Sequence, residues 1–235
     1  MMANRILACL FSISIILNYS CDPICEAPVI TLPPPEPEIC DIENHPKDSL
    51  FITGFEKGEN PTEWGGNLNP WKDSLSSVQV AVDYFSLNVD LIHGEYAAQV
   101  TIDSNFAETS AADWSGGGMS LEFSSCPEGI DISAYQFLKF DIKTTAENGL
   151  ELTKVKLEDT SRVKQPELLI LSYQAFTTEW ATVSIPLERF IAAAGNQVPL
   201  QLENVTRLLT TSINTTTIPA NVKGVLFIDN VRFTN

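Results

Sequence analysis

The chain has 235 residues, with 30 acidic side chains against 14 basic ones, two histidines, five cysteines and 44% hydrophobic residues. That size fits one domain of roughly 150 to 200 residues plus short appendages. The formal net charge of -16 argues against a nucleic-acid binder, which needs a clustered basic surface. It leaves neutral ligands and divalent cations as the easier partners.

Residues 1–20 read as an export signal: Arg5 precedes an apolar run from Ile6 to Leu17 that is too short to span a bilayer. Asn18-Tyr19-Ser20-Cys21 follows and resembles the end of a bacterial lipoprotein signal, which implies acylation of Cys21 and anchorage at the cell envelope; simple cleavage and secretion is the other reading. Residues 21–48 form a Pro- and acid-rich linker. Its Pro33-Pro34-Pro35-Glu36-Pro37 run favours extended polyproline conformation and buries no core. Cysteine spacing gives no zinc site, because Cys21 and Cys25 have no second pair and His45 and His93 stand alone. If Cys21 carries lipid, Cys25, Cys40 and Cys126 remain, and a Cys40–Cys126 disulfide with one odd thiol is one of the possible counts.

From residue 49 to 235 the chain alternates with period two. Tyr96, Ala98, Val100 and Ile102 share one face; so do Met119, Leu121 and Phe123, then Leu138, Phe140 and Ile142, then Thr153, Val155 and Leu157. Further strands are expected at Phe51 to Glu56, Val78 to Phe85, Leu168 to Tyr173, Ala181 to Ile185, Arg207 to Ile213 and Val225 to Phe233, separated by Gly-, Asn- and Pro-containing turns. One short helix is expected from Leu187 to Ala194, closed by Gly195. Nine or ten strands without intervening helices predict an all-β antiparallel sandwich, best a jelly roll, with a lipocalin-like barrel as the alternative.

Five stretches in order carry a resemblance: Gly54-Phe55-Glu56-Lys57-Gly58 with Trp64; His93-Gly94-Glu95-Tyr96-Ala97; Ile132 to Asp141; Trp180 to Phe190; and Gly224 to Phe233. Together they resemble galactose-binding-like β-sandwich modules, above all carbohydrate-binding modules of family 11, over about residues 50–235. The resemblance implies a non-catalytic jelly roll that binds polysaccharide in a cleft on one concave sheet and holds a structural calcium at positions matching Glu56 and Asp229. A carbonyl near His93 or Gly94 would assist. Two carboxylates with carbonyls suit calcium, which takes six to eight oxygen ligands, and surface acids are the alternative fate of such residues.

For the ligand face, the outward row Lys154, Lys156 and Glu158 offers hydrogen-bonding groups to sugar hydroxyls, unless it is simply a solvated face. Trp114, before Gly116-Gly117-Gly118, offers a flat apolar surface to a pyranose, or else closes one end of the sandwich. Tyr84 and Tyr173 are further candidates, Trp64 and Trp71 are expected in a loop rimming the cleft, and Trp180 is expected to be structural. Lysines stand at 154 and 156 where family 11 offers tyrosine, arginine and aspartate, which leaves anionic and substituted glycans open. No G-x-S-x-G elbow, paired histidine or phosphate loop supports an enzyme. The expected function is therefore glycan binding without cleavage; an adhesion or assembly lipoprotein that contacts another protein is the alternative, and a glycoside hydrolase the third.

Overall fold

The computed structural model describes residues 48–56, 62–72, 79–90, 93–104, 114–145, 153–162, 165–192, 197–215 and 222–235, with backbone alone at 72, 79–90, 102–104, 114–116, 211–215 and 222–223. The signal, Cys21, Cys25, Cys40, most of the Pro-rich linker and Gly195 lie outside the described residues.

Eleven strands are described: β1 (Ser49–Thr53), β2 (Leu68–Lys72), β3 (Gln79–Asp90), β4 (Gly94–Ser104), β5 (Trp114–Glu122), β6 (Phe137–Thr144), β7 (Thr153–Asp159), β8 (Leu168–Leu169), β9 (Ala181–Pro186), β10 (Val205–Thr215) and β11 (Val222–Thr234). They form two antiparallel sheets. One has the order β3-β4-β11-β6-β9 with β1 also paired to β11, and the other has the order β2-β5-β10-β7-β8. Two separate sheets give the sandwich rather than a closed barrel.

Alternation decides which side chains meet between the sheets. Leu50, Ile52, Val100, Met119, Leu121, Leu138, Phe140, Ile142, Val155, Leu157, Val183, Ile185 and Leu208 are all buried, as half-wetted strands require. Phe123 and Phe233 meet edge to face across the core with centroids 5.5 Å apart. Burying each such ring stabilises the fold by roughly 1.5–3 kcal/mol.

β11 is the hub of its sheet. β6 runs along one edge, while the other edge is shared, with β4 pairing Val222 to Ile228 and β1 pairing Val231 to Thr234. At the handover a bulge puts Asn230 at φ 50° and switches the buried face from Leu226 and Ile228 to Val231 and Phe233. Asp229, beside the bulge, is fully buried.

Two expectations are corrected. β2 occupies a stretch expected to be loop; Pro70 is tolerated because β2 is an edge strand, where a missing N–H costs no ladder bond. The strand expected from Leu168 to Tyr173 ends after two residues in a 3-10 turn, Ile170–Ser172, which buries Ile170 and leaves Leu171 exposed. The short helix expected around Leu187 to Ala194 is present as one turn, α1 (Glu188–Ile191), held by Phe190 in the core. Cys126 is disulfide-bonded.

Candidate functional site

The outer face of the β2-β5-β10-β7-β8 sheet carries a groove of about 430 Å³, within the range of ligand sites. Strand register explains its lining. Asn69 pairs with Ser120, Ser120 with Leu209, and Leu209 with Lys156, so these four side chains form one row across the sheet. Glu122, Arg207 and Glu158 form the next row by the same rule, and Trp71, Gly118, Thr211 and Lys154 occupy register positions in the row on the other side.

Trp71 spans the floor at one end. Its indole Nε1 donates to the Thr210 carbonyl at 2.9 Å, reaching from β2 across β5 to β10. That crossing needs the absence of a side chain at its partner Gly118, where a Cβ would come within 1.9 Å of the Thr210 oxygen. Thr210 completes the arrangement by accepting from the Met119 N–H through Oγ1 at 3.1 Å. The half-buried indole thus gives the groove a fixed flat apolar surface of the kind that stacks on the C–H face of a sugar ring.

Charged side chains hold the middle. Glu158 is buried, at 5% exposure. Lys156 Nζ contacts its Oε1, while Arg207 donates through Nε at 2.7 Å and Nη2 at 2.6 Å to its Oε2. Lys154 pairs with Glu167 at 3.5 Å on the exposed wall. Next to Glu158, Asp159 anchors the strand end. Burial pushes its carboxyl up, but the Ser161 hydroxyl, the Gln201 and Ser161 backbone N–H groups and the Gln165 side chain outweigh this and hold it below the usual carboxylate range.

The structure therefore brings Lys154, Lys156 and Glu158 together on the groove face. Trp114 begins β5 opposite Thr215, with its side chain outside the described residues. Tyr84 is on β3, an edge strand of the other sheet, with its side chain outside the described residues, and Tyr173 is half-buried against the core and does not line the groove. Trp64 packs on the core and donates to the Phe51 carbonyl at 2.8 Å, away from the cleft it was expected to rim, while Trp71 does line it. Arg207, Glu122, Glu167, Asn69 and Ser120 line the groove without having been among the expected site residues. Arg207 and Glu158 are 49 residues apart, and only the β7–β10 register makes them neighbours.

On the other sheet, Glu56 accepts from the Glu95 N–H at 2.9 Å and lies against Gly94, whose φ of +68° and absent Cβ make room for the carboxylate. Gly54, two residues earlier, lies over Asp229, whose Oδ1 accepts from the Asn230 N–H at 2.7 Å. Among the described residues no group of three or more His, Cys, Asp or Glu is arranged to hold a metal ion, so a cation held here would depend on amide oxygens beside the two carboxylates, a donor set that suits calcium. Nearby, Asp141 accepts from Thr182 at 2.6 Å and Asn230 at 3.1 Å, with His93 at 3.4 Å, and Trp180 stacks on His93 at 4.3 Å.

The family model for carbohydrate binding domain 30 matches residues 54–235. Among solved structures, the chain is similar to a family 11 carbohydrate-binding module from Clostridium thermocellum in complex with a β-1,3-1,4-mixed-linked tetrasaccharide. That match has 14% identity and a TM-score of 0.51, and covers 80% of this chain and 96% of that one. It is also similar to the family 30 module of a cellulosomal cellulase of Clostridium thermocellum, with 17% identity, a TM-score of 0.48, and 80% and 97% coverage. A third, the β-1,2-glucanase from Parabacteroides distasonis, has 14% identity and a TM-score of 0.52 over 80% of this chain but only 25% of that one. No curated protein matches the chain. The sandwich with its polar, tryptophan-floored groove and the family match over residues 54–235 lead to one conclusion: the chain belongs to the carbohydrate-binding domain 30 family.

Proposed function

We propose that this module binds a polysaccharide chain in the groove of the β2-β5-β10-β7-β8 sheet, without cleaving it. The observation that carries the reading is Trp71, locked flat across Gly118 beside a row of hydrogen-bonding side chains, Asn69, Ser120 and Lys156. Such a floor stacks on a pyranose while the polar row satisfies its hydroxyls. Glu158 is not poised for cleavage, since both its oxygens are engaged by Lys156 and Arg207 and neither is available to protonate or attack a glycosidic bond.

β-Glucan is the first ligand to try, because the similar family 11 module is in complex with a mixed-linked tetrasaccharide. In affinity electrophoresis through mixed-linkage β-glucan, Trp71→Ala should weaken retention about tenfold or more in a protein that stays folded, its melting temperature lowered only by the lost Thr210 hydrogen bond and indole packing. Retention equal to wild type would remove the groove from the site. Trp114→Ala tests the other indole in the same gels and should also weaken retention.

The protein-binding alternative rests on an apolar hollow of about 390 Å³ lined by Tyr135, Phe137, Leu187 and Ile191. A protein-binding face calls for an exposed apolar patch in place of a polar groove, and this groove is lined by Asn69, Ser120, Lys156, Arg207 and three glutamates.

Two further parts complete the proposal. Calcium pins Glu56 and Asp229, where the first described strand leaves the bulge of the last, so chelation should lower the melting temperature and added calcium restore it. A melting curve that ignores both would remove the metal. The module is exported and anchored through lipid on Cys21 with residues 21–48 as a stalk. Radiolabelled palmitate should enter the wild type and not Cys21→Ser, and label in neither would leave secretion.

A further inference from the structure

We infer that Glu158 sets the charge specificity of the groove: by occupying Lys156 and Arg207 it admits uncharged glycan chains and turns away polyanionic ones. The inference rests on the glycan-binding reading of that groove and deepens it.

Among the described residues three cations face this surface, Lys154, Lys156 and Arg207, and by count alone they would invite a uronate or sulfated chain. The geometry removes the invitation. Arg207 spends two donors on one oxygen of Glu158, at 2.7 and 2.6 Å, and Lys156 takes the other oxygen. Glu158 sits on β7 directly opposite Arg207, with Lys156 two residues away on the same face, so the register itself builds the triad. The remaining cation, Lys154, faces Glu167, and Glu122 adds a third acid beside Arg207. An incoming carboxylate would meet cations whose charge Glu158 already neutralises and would share the groove with that acid and with Glu122 and Glu167, a repulsion that a partly desolvated site screens weakly. A neutral chain meets no such repulsion and can use the donors that the ion pairs leave on Lys156 and Arg207, with Asn69 and Ser120 adding neutral ones.

Hydroxyethylcellulose and carboxymethylcellulose, one backbone without and with charge, provide the test in affinity electrophoresis at low and high ionic strength. Wild type should be retained on the neutral polymer about tenfold more strongly than on the anionic one. Glu158→Gln should raise the ratio of anionic to neutral retention about tenfold at low salt, with the gain fading at high salt. Should Glu158→Gln fail to fold, the double variant Glu122→Gln/Glu167→Gln lies outside the triad and should move the ratio in the same direction. Equal wild-type retention on both polymers, or a ratio unmoved in folded variants, overturns this inference alone. A wild type retained on neither polymer, nor on mixed-linkage β-glucan, overturns the glycan-binding reading and this inference with it.

Discussion

Asp159 shows how one side chain fixes the geometry of its neighbour. Its Oδ2 accepts from the Gln201 N–H at 3.0 Å and its Oδ1 from the Ser161 N–H at 2.9 Å, tying the end of β7 to the segment that leads into β10. Glu158, one residue earlier, thereby reaches Arg207 from a fixed backbone. Because these hydrogen bonds hold the folded carboxyl below its unfolded value near 3.9, the stabilisation is complete above that pH and disappears as pH falls through the lower folded value. Asp159→Asn should lower the melting temperature at pH 7, by about 1–3 kcal/mol of stability, and flatten the acid limb of the melting-temperature profile. A variant whose acid limb matches wild type would assign that limb to other carboxylates. Tyr135 is perturbed the other way: burial first, then the charge of Asp131, push its phenol up.

At the scale of strands, the glycine of β5 does what no other residue can. Gly118 allows β5 and β10 to approach and Trp71 to lie across them, and a methyl group there would collide with the Thr210 carbonyl. Gly118→Ala should cost about 1–3 kcal/mol in a denaturant titration and reduce β-glucan retention together with stability, unlike Trp71→Ala, which should affect retention far more than stability. The sequence made most strands readable because Leu138, Phe140 and Ile142, or Val155 and Leu157, alternate cleanly between wet and dry faces. It hid β2, because Asn69-Pro70 is turn chemistry unless one knows that β2 lies at a sheet edge. It also hid Arg207, Glu122 and Glu167 as site residues, since their roles come from long-range pairing that no local pattern records. Lys154, Lys156 and Glu158 were visible as an outward row for the opposite reason: they sit two apart on one strand. What the row could not reveal is that Glu158 is buried beneath its partners, a property of the neighbouring strand rather than of its own.

For the whole sandwich, the two sheets carry separate duties. The groove occupies the outer face of one, while the Asp141 network, the Glu56 and Asp229 carboxylates and the first strand belong to the other. Chemistry done to either outer face should leave the other intact, so Asp141→Asn should lower the melting temperature without changing the relative retention on neutral and anionic polymers. A shift in that ratio would show that the faces communicate through the core.

The pairing of β1 with β11 has a mechanical side. Ser49 lies opposite Thr234, and the Asn235 N–H reaches the Asp48 carbonyl, so the ribbon's open end is at its outer tip. A pull entering at Asp48 and resisted by a polymer gripped on the far sheet would meet these backbone bonds one after another, as in a zipper, rather than all at once. Within the sandwich, such a force should therefore be felt first at this single short ribbon, whose peeling draws Leu50 and Ile52 out of the core.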